Sequence, residues 1–243
     1  MWKTFAGHCI YTSPNGAKVH QNYMYRWLTL GGDALHTLIN RRHPEKPELG
    51  YIHQLGFAVR EQPADCCLLG LGGAGIVHAL APYLKRSNIL AVENNADIIE
   101  IANVYFKADS CKNLSVIYQD ADRFVKDCEA RYQHLIIDLF DSHSFPATCN
   151  TYDFFAHCHR MLLPDGILAV NLTHLQEQWP VFKHIRENFS ERTVLLPVKG
   201  AANVVVLACK SPSVAPLLDI LKTSRRLKEL SWDALWGCVA YTC

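Results

Sequence analysis

The segment CLLGLGGAGIVHAL, residues 67–80, decides the fold class. Its first half is an apolar run typical of a buried strand, and its second half has the apolar spacing of a helix. Between them, Gly70, Gly72 and Gly75 match the pattern GxGxxG. Such a turn lets the backbone approach a ligand, while the free N–H groups at the start of the helix point at that ligand. Tight packing of the helix on the strand would also explain the glycines, so the motif alone leaves both interpretations open.

Downstream of this motif, apolar strands alternate with helical segments. The strand segments are NILAVEN, LSVIYQD, HLIIDLFD and ILAVNL. This alternation predicts an α/β fold with a parallel sheet covered by helices on both faces. The next two strands, ERTVLLPV and NVVVLACK, are joined by KGAA, which is too short for a helical crossover, so they are predicted to pair as an antiparallel hairpin. Five parallel strands and a terminal hairpin are typical of the Rossmann-like class I AdoMet-dependent transferase fold.

The two ends of the chain follow other patterns. Turn signals at Pro14-Asn15-Gly16 and Gly31-Gly32 separate aromatic and β-branched runs, which predicts a small N-terminal β region in residues 1–50. Residues 51–243 are then the Rossmann-like nucleoside-binding domain. Within it, residues 211–243 are expected to form an amphipathic helix and a tail.

Composition restricts the class of protein. The 243 residues carry a formal charge of +1, which gives no broad cationic face for nucleic acid or anionic lipid. No segment approaches the roughly 20 apolar residues of a membrane span, and residues 1–16 lack the apolar core of a signal peptide. The ten cysteines contain no CxxC, and the histidines show no metal-ligand spacing. We therefore expect a reduced, cytoplasmic protein without a metal, a membrane or a nucleic-acid partner.

Acidic residues follow three of the predicted strands. Glu93 ends the second strand, where its carboxylate suits the hydroxyls of a ribose, although a solvated acid would fit as well. Asp120 ends the third strand, where it can accept from an adenine amino group or cap the next helix. Asp138 ends the fourth strand. Because ligands of open α/β sheets bind beyond the carboxyl ends of the strands, these acids and the glycine turn are predicted to share one nucleoside site.

With DLFDSHSFP, residues 138–146, the chain resembles the spermidine synthase family over about residues 10–210. The family's active-site loop reads DSSDPxGPA, and this chain retains Asp138, Asp141 and the ending Pro146-Ala147. The family's strand-three D-G or D-A pair corresponds to Asp120-Ala121. Its glycine turn reads GGGDGG where this chain has GLGGAG, so Gly73 stands where the family has an aspartate.

The resemblance implies aminopropyl transfer from decarboxylated AdoMet to a small diamine such as putrescine. It implies that Asp138 is the catalytic acid–base group and that Asp141 binds the amine substrate. It also implies a homodimer formed through the N-terminal region. The nucleoside would be held by Gly70, Gly72, Gly75, Glu93, Asp120 and Ala121.

Departures from the family pattern keep other functions open. The family's aspartate holds the ammonium of the aminopropyl arm, and Gly73 in its place is expected to leave room for a bulkier or anionic group, such as the carboxylate of intact AdoMet. The alternatives are an AdoMet-dependent methyltransferase on the same fold and a catalytically silent nucleoside-binding homologue. A dehydrogenase is less consistent with the terminal hairpin. His36 lies near the family's gating Tyr-Gln pair, which is missing, and it receives no firm role; nor does the loop residue His143.

Overall fold

The computed structural model describes residues 2–32, 34–140, 144–173, 179–224 and 226–242. The described residues form a four-stranded and a nine-stranded sheet. The smaller sheet is antiparallel, with its strands in chain order after a short 3₁₀ helix at Trp2–Thr4. Its strands are β1 (His8–Thr12), β2 (Ala17–Gln21), β3 (Tyr25–Leu30) and β4 (Leu35–Asn40).

The larger sheet has the strand order β12-β13-β10-β11-β9-β8-β5-β6-β7. Its strands are β5 (Cys66–Leu69), β6 (Ile89–Glu93), β7 (Leu114–Tyr118), β8 (Tyr132–Ile137), β9 (Leu162–Leu172), β10 (Thr193–Pro197), β11 (Val204–Cys209), β12 (Leu227–Asp233) and β13 (Gly237–Thr242). Strand β5 pairs in parallel with both β6 and β8. The chain therefore reverses its direction of winding at β5, and this reversal is where open α/β sheets bind ligands.

Eight α-helices accompany the strands in the described residues. They are α1 (Tyr51–Leu55), α2 (Phe57–Glu61), α3 (Gly75–Leu80), α4 (Ala96–Val104), α5 (Ala121–Asp127), α6 (Tyr152–Arg160), α7 (Trp179–Asn188) and α8 (Ala215–Thr223). Short 3₁₀ helices lie at Ala108–Ser110 and Ala147–Cys149. No helix in the described part of the chain is long and apolar enough to cross a bilayer.

Strand β5 shows why an uninterrupted apolar run is required at the centre of the sheet. Cys66 and Leu68 face the core that includes residues of α1, α2 and α3, whereas Cys67 and Leu69 face the core that includes residues of α5 and α6. All four are at most 1% exposed, because helices cover both faces. The prediction of a parallel sheet covered on both faces is confirmed.

The antiparallel hairpin is also confirmed, and the expectation for the tail is wrong in part. Strand β10 pairs antiparallel with β11, from Thr193 opposite Ala208 to Pro197 opposite Val204. After α8, the chain forms a second hairpin, β12–β13, and β13 pairs in parallel with β10. The tail thus extends the sheet by two strands. The charged residues of LKELSWD masked the strand pattern in the sequence, since an edge strand with one exposed face need not be apolar.

The N-terminal sheet packs against the larger unit through α4. Val19, Leu28 and Ile39 form a buried cluster with Ile98 and Ile101. In the turn between β1 and β2, the Nδ2 of Asn15 donates to Oδ2 of Asp97 at 3.0 Å. These contacts place the loops of the small sheet over the carboxyl ends of β5 and β6.

Gly70 combines a left-handed backbone conformation with a close contact to backbone atoms of another strand end. Its φ is +94°, and a Cβ there would lie 2.4 Å from the backbone oxygen of Asp138. We expect Gly70→Ala to lower the free energy of unfolding by about 3 kcal/mol, from the left-handed backbone and the clash together. Urea denaturation measures this change.

Gly237→Ala is the matched control. Gly237 has a φ of +74°, but a Cβ there would meet no described atom within 4 Å. It should therefore cost only the backbone strain of about 1–2 kcal/mol. Equal losses in the two variants would contradict the importance of the Gly70 contact.

Candidate functional site

A cavity of about 720 Å³ lies at the carboxyl ends of β5, β6, β8 and β9. One wall of the cavity is formed by the glycine turn after β5, by Glu93 at the end of β6 and by Asp138 after β8. The facing wall comes from the N-terminal sheet, with residues such as Leu35, His36 and Thr37 of β4. The cavity therefore lies between the two sheets, at the reversal of strand order.

The glycine turn brings bare backbone to this cavity. Gly70, Gly72 and Gly75 all line it, and Gly70 and Gly72 have positive φ values of +94° and +52°. The N–H of Leu71, within the turn, donates to Oε2 of Glu93 at 3.1 Å. The turn and the acid after the next strand are thus joined directly.

Glu93 is held by backbone donors on both of its oxygens. Oε2 accepts from Leu71, and Oε1 accepts from the N–H of Asn95 at 3.1 Å. Burial raises the pKa of the carboxyl, and the backbone N–H groups oppose that rise. Glu93 lines the cavity, where an ionised carboxylate can only accept hydrogen bonds.

A smaller pocket of about 110 Å³ adjoins the cavity and contains the acid after β7. Asp120 and Ala121 line it, and Gly70 and Glu93 line both spaces. The Oδ1 of Asp120 accepts from the N–H of Arg123 at 3.1 Å, so Asp120 caps α5. Asp120 can cap α5 and line the pocket at the same time, because α5 starts close to the end of β7.

Asp138 follows β8 and lines the cavity. The hydroxyl of Tyr51, from α1, donates to Oδ2 at 3.0 Å, and the Nδ2 of Asn171, from β9, donates to Oδ1 at 2.9 Å. Burial raises the pKa of this carboxyl, and the two donors act in the opposite direction. Asp138 is therefore a half-buried acid whose anion is held by neutral donors.

The sequence analysis missed the partners of Asp138. Asn171 is the polar residue near the end of the apolar segment ILAVNL, so the rule that selected Glu93 would have found it. Tyr51 lies in a helical segment without a distinguishing pattern. Asn203, just before β11, donates from Nδ2 to Oδ1 of Asn171 at 2.9 Å and lies 3.3 Å from Oγ1 of Thr173.

The space beside Gly73 is filled, contrary to expectation. Thr37 of β4 is 3% exposed, and its Oγ1 accepts from the N–H of Gly73 at 2.8 Å. A Cβ at Gly73 would lie 2.9 Å from Cγ2 of Thr37. Gly73 therefore accommodates a threonine from the other sheet and leaves no open room for a larger ligand group.

The described lining of the cavity carries acids and no Lys or Arg. Its ionisable groups are Glu93, Asp138, Tyr51 and His36, and burial lowers the pKa of His36. The ring of His36 lies 5.7 Å from that of Phe140, between centroids. Asp141 and His143 lie outside the described residues. Among the described residues, no three His, Cys, Asp or Glu are grouped to hold a metal ion.

Three known proteins show the relationships of this chain. A polyamine aminopropyltransferase of Chromobacterium violaceum is 26% identical over 208 residues, which cover 84% of this chain and 80% of that protein. An eEF1A lysine and N-terminal methyltransferase homolog of Drosophila pseudoobscura pseudoobscura is 28% identical over 156 residues, 54% of this chain and 23% of that protein. A spermidine synthase crystallised with the transition state analogue AdoDATO superposes with a TM-score of 0.71 at 18% identity, covering 87% of this chain and 76% of that one.

These likenesses agree with the geometry. The solved synthase supports the fold, a Rossmann-like α/β unit preceded by an antiparallel sheet. The spermine/spermidine synthase domain matches residues 46–199, more than half of the chain. This stretch contains the glycine turn, Glu93, Asp120 and Asp138. The chain belongs to the spermine/spermidine synthase family.

Proposed function

We propose that this protein transfers the aminopropyl group of decarboxylated AdoMet to a small amine such as putrescine. The observation that carries the proposal is the position of Asp138: a half-buried acid, held by neutral donors, in a cavity that shares Gly70 and Glu93 with the pocket of Asp120. Membership of the spermine/spermidine synthase family supports the same reaction class, a transferase acting on amines.

The nucleoside would lie along the glycine turn. The small pocket beside Asp120 and Ala121 is suited to the adenine, and the carboxylate of Glu93 to the ribose hydroxyls. The bare backbone at Gly70 and Gly72 admits the rest of the nucleoside close to the tip of β5.

The amine substrate would lie beside Asp138. In water the amine is protonated, and it must lose a proton before its lone pair can attack the aminopropyl carbon. Asp138 can attract the cation, orient it and accept that proton. The new C–N bond forms as the C–S bond breaks, and the electron pair of the C–S bond leaves with the sulfur of methylthioadenosine. Asp141 would bind the same amine.

The charge of the cavity favours a cationic co-substrate. Decarboxylated AdoMet carries a sulfonium and an ammonium, whereas intact AdoMet adds a carboxylate. The described lining holds acids and no Lys or Arg, so a carboxylate placed there would be desolvated without a cationic partner. The threonine beside Gly73 presents a neutral hydroxyl instead of the family's aspartate.

The methyltransferase remains the second candidate because of a specific relative. The methyltransferase homolog from Drosophila matches 54% of this chain. On the same site, Asp138 would position an amine for attack on the methyl carbon of intact AdoMet.

We also propose a cytoplasmic homodimer and a division into a small N-terminal β region, residues 1–50, and a catalytic unit, residues 51–243. The dimer is supported by aromatic side chains of the N-terminal region that are exposed in the single chain. Trp2, Phe5 and Tyr23 are 71%, 80% and 77% exposed. The division is supported by the separate four-stranded sheet.

Calorimetric titration with methylthioadenosine, decarboxylated AdoMet, AdoMet and NAD separates the candidate functions. We expect decarboxylated AdoMet to bind at least about tenfold more tightly than AdoMet, because the carboxylate lacks a described cationic partner. NAD should give no measurable binding. Tighter binding of AdoMet would favour methyl transfer over aminopropyl transfer.

Asp138→Asn tests the proposed base. We expect kcat for aminopropyl transfer to fall by roughly 100- to 10,000-fold, the usual effect of removing a general base, while methylthioadenosine binds as before. Asp122→Asn, at an exposed i,i+4 pair with Lys126 on α5, is the control and should retain activity. Turnover within a fewfold of wild type in the Asp138 variant would remove Asp138 from the mechanism.

The same variant should be more stable than wild type at neutral pH. Because burial raises the pKa of Asp138 in the folded state, the folded protein binds the proton more tightly than the unfolded chain. Below the pKa that Asp138 has in the unfolded chain, the carboxyl is protonated in both states and does not lower the free energy of unfolding. As the pH rises towards and through the higher pKa of the folded state, the free energy of unfolding decreases. We expect Asp138→Asn to raise the free energy of unfolding by about 1 kcal/mol at pH 7. Urea denaturation should show that this gain in the free energy of unfolding disappears at acid pH. A gain that is independent of pH would contradict a raised pKa of Asp138 as its cause.

A further inference from the structure

The hydrogen bonds around Asp138 form a chain with one direction. Asn203 donates from Nδ2 to Oδ1 of Asn171, and Asn171 donates from Nδ2 to Oδ1 of Asp138, both at 2.9 Å. Asn203 and Asn171 both line the cavity. The two amides therefore link β11 to the tip of β8 through β9.

The direction of this chain follows from the chemistry of its members. An ionised carboxylate can only accept, so Asn171 must turn its NH₂ group towards Asp138. Its carbonyl oxygen then faces Asn203, which must in turn present its own NH₂ group. Without Asn203, the carbonyl oxygen of Asn171 would lose its donor, and only the carboxylate itself would hold the Asn171 amide in this orientation.

We propose that Asn203 is a positioning residue, which orients the Asn171 amide so that it always donates to Asp138 and keeps that carboxylate ionised and aimed for the amine. Asn203 lies outside the spermine/spermidine synthase match at residues 46–199, and it acts through Asn171. The catalytic consequence rests on the function proposed above, whereas the orientation of the amides does not.

Other groups around Asp138 act independently of Asn203. Tyr51 of α1 donates to the other oxygen, Oδ2. The remaining ionisable groups in the described lining are Glu93 after the glycine turn, from β6, and His36 from β4. Neither has a hydrogen bond to Asp138 in the described residues. The influence of Asn203 can therefore be separated from theirs by substituting Asn203 alone.

Asn203→Leu removes the donor at similar size and adds no charge. The first measurement is the pH titration of the Asp138 carboxyl by ¹³C NMR, in ligand-free protein labelled with [¹³C-carboxyl]aspartate, with Asp138→Asn identifying the signal. We expect its midpoint to move to higher pH, because Asn171 loses the partner that keeps its NH₂ group directed at the anion, and the anion is then less stabilised. In activity assays, the midpoint at which kcat/KM falls on the acid side should also move to higher pH. At a pH below that midpoint, kcat/KM should be roughly tenfold lower than in wild type.

A double-mutant cycle tests whether Asn203 acts through Asn171. In an Asn171→Leu background, Asn203→Leu should leave the Asp138 midpoint unchanged, since the intermediate amide is gone. The matched control is Asn113→Leu. Asn113 also donates from Nδ2 to two oxygens, those of Leu84 and Ser87, but away from the cavity, and its loss should leave the midpoint at the wild-type value.

The outcomes are distinct. A wild-type midpoint in Asn203→Leu, or an equal shift in the Asn171→Leu background, would overturn the proposal. If Leu is not accommodated, Asn203→Ala tests the same point with a smaller side chain. The NMR titration needs no turnover and therefore tests the role of Asn203 separately from the proposed function. If the wild-type protein had no aminopropyltransferase activity but Asn203→Leu still moved the Asp138 midpoint, the proposed function would be wrong and the role of Asn203 would stand.

Discussion

The close approach of Gly70 to the backbone of Asp138 is the constraint on which the site depends. A Cβ at Gly70 would lie 2.4 Å from the carbonyl oxygen of Asp138, so the tips of β5 and β8 can meet only around a glycine. This contact fixes the separation between the turn that would carry the nucleoside and the acid that would receive the amine. Gly70 therefore makes the turn possible and also sets the distance between the two reactants. Precise placement of that kind accounts for a large part of the rate enhancement in two-substrate reactions.

The electrostatics of the cavity are consistent with this role. Asp138 is stabilised by the neutral donors Tyr51 and Asn171 rather than by a Lys or Arg of the described lining. Neutral donors lower the cost of burying an anion without cancelling its charge. A guanidinium in the same place would pair with the acid and repel an ammonium. The arrangement thus keeps a negative charge available to a positive substrate in a partly dry space.

The sequence rules succeeded where the relevant neighbours follow one another along the chain. Apolar runs identified the central strands, and the polar residues after them identified Glu93, Asp120 and Asp138, whose positions in the structure are adjacent. The assignment of catalytic and binding roles to these residues stays a prediction. The rules failed where a partner comes from a distant element: Tyr51 carries no pattern that links it to Asp138, 87 positions away. They also failed for the tail, because an exposed edge hairpin such as β12–β13 lacks the apolar alternation of a central strand.

Thr37 and Gly73 have a consequence for how this chain can evolve. The threonine occupies the volume that a side chain on residue 73 would need, and the two are joined by a 2.8 Å hydrogen bond. An acidic residue could occupy position 73 only if Thr37 of β4 moved or was replaced by a smaller residue. The two positions form a coupled pair across the two sheets, and close relatives should exchange both together or neither.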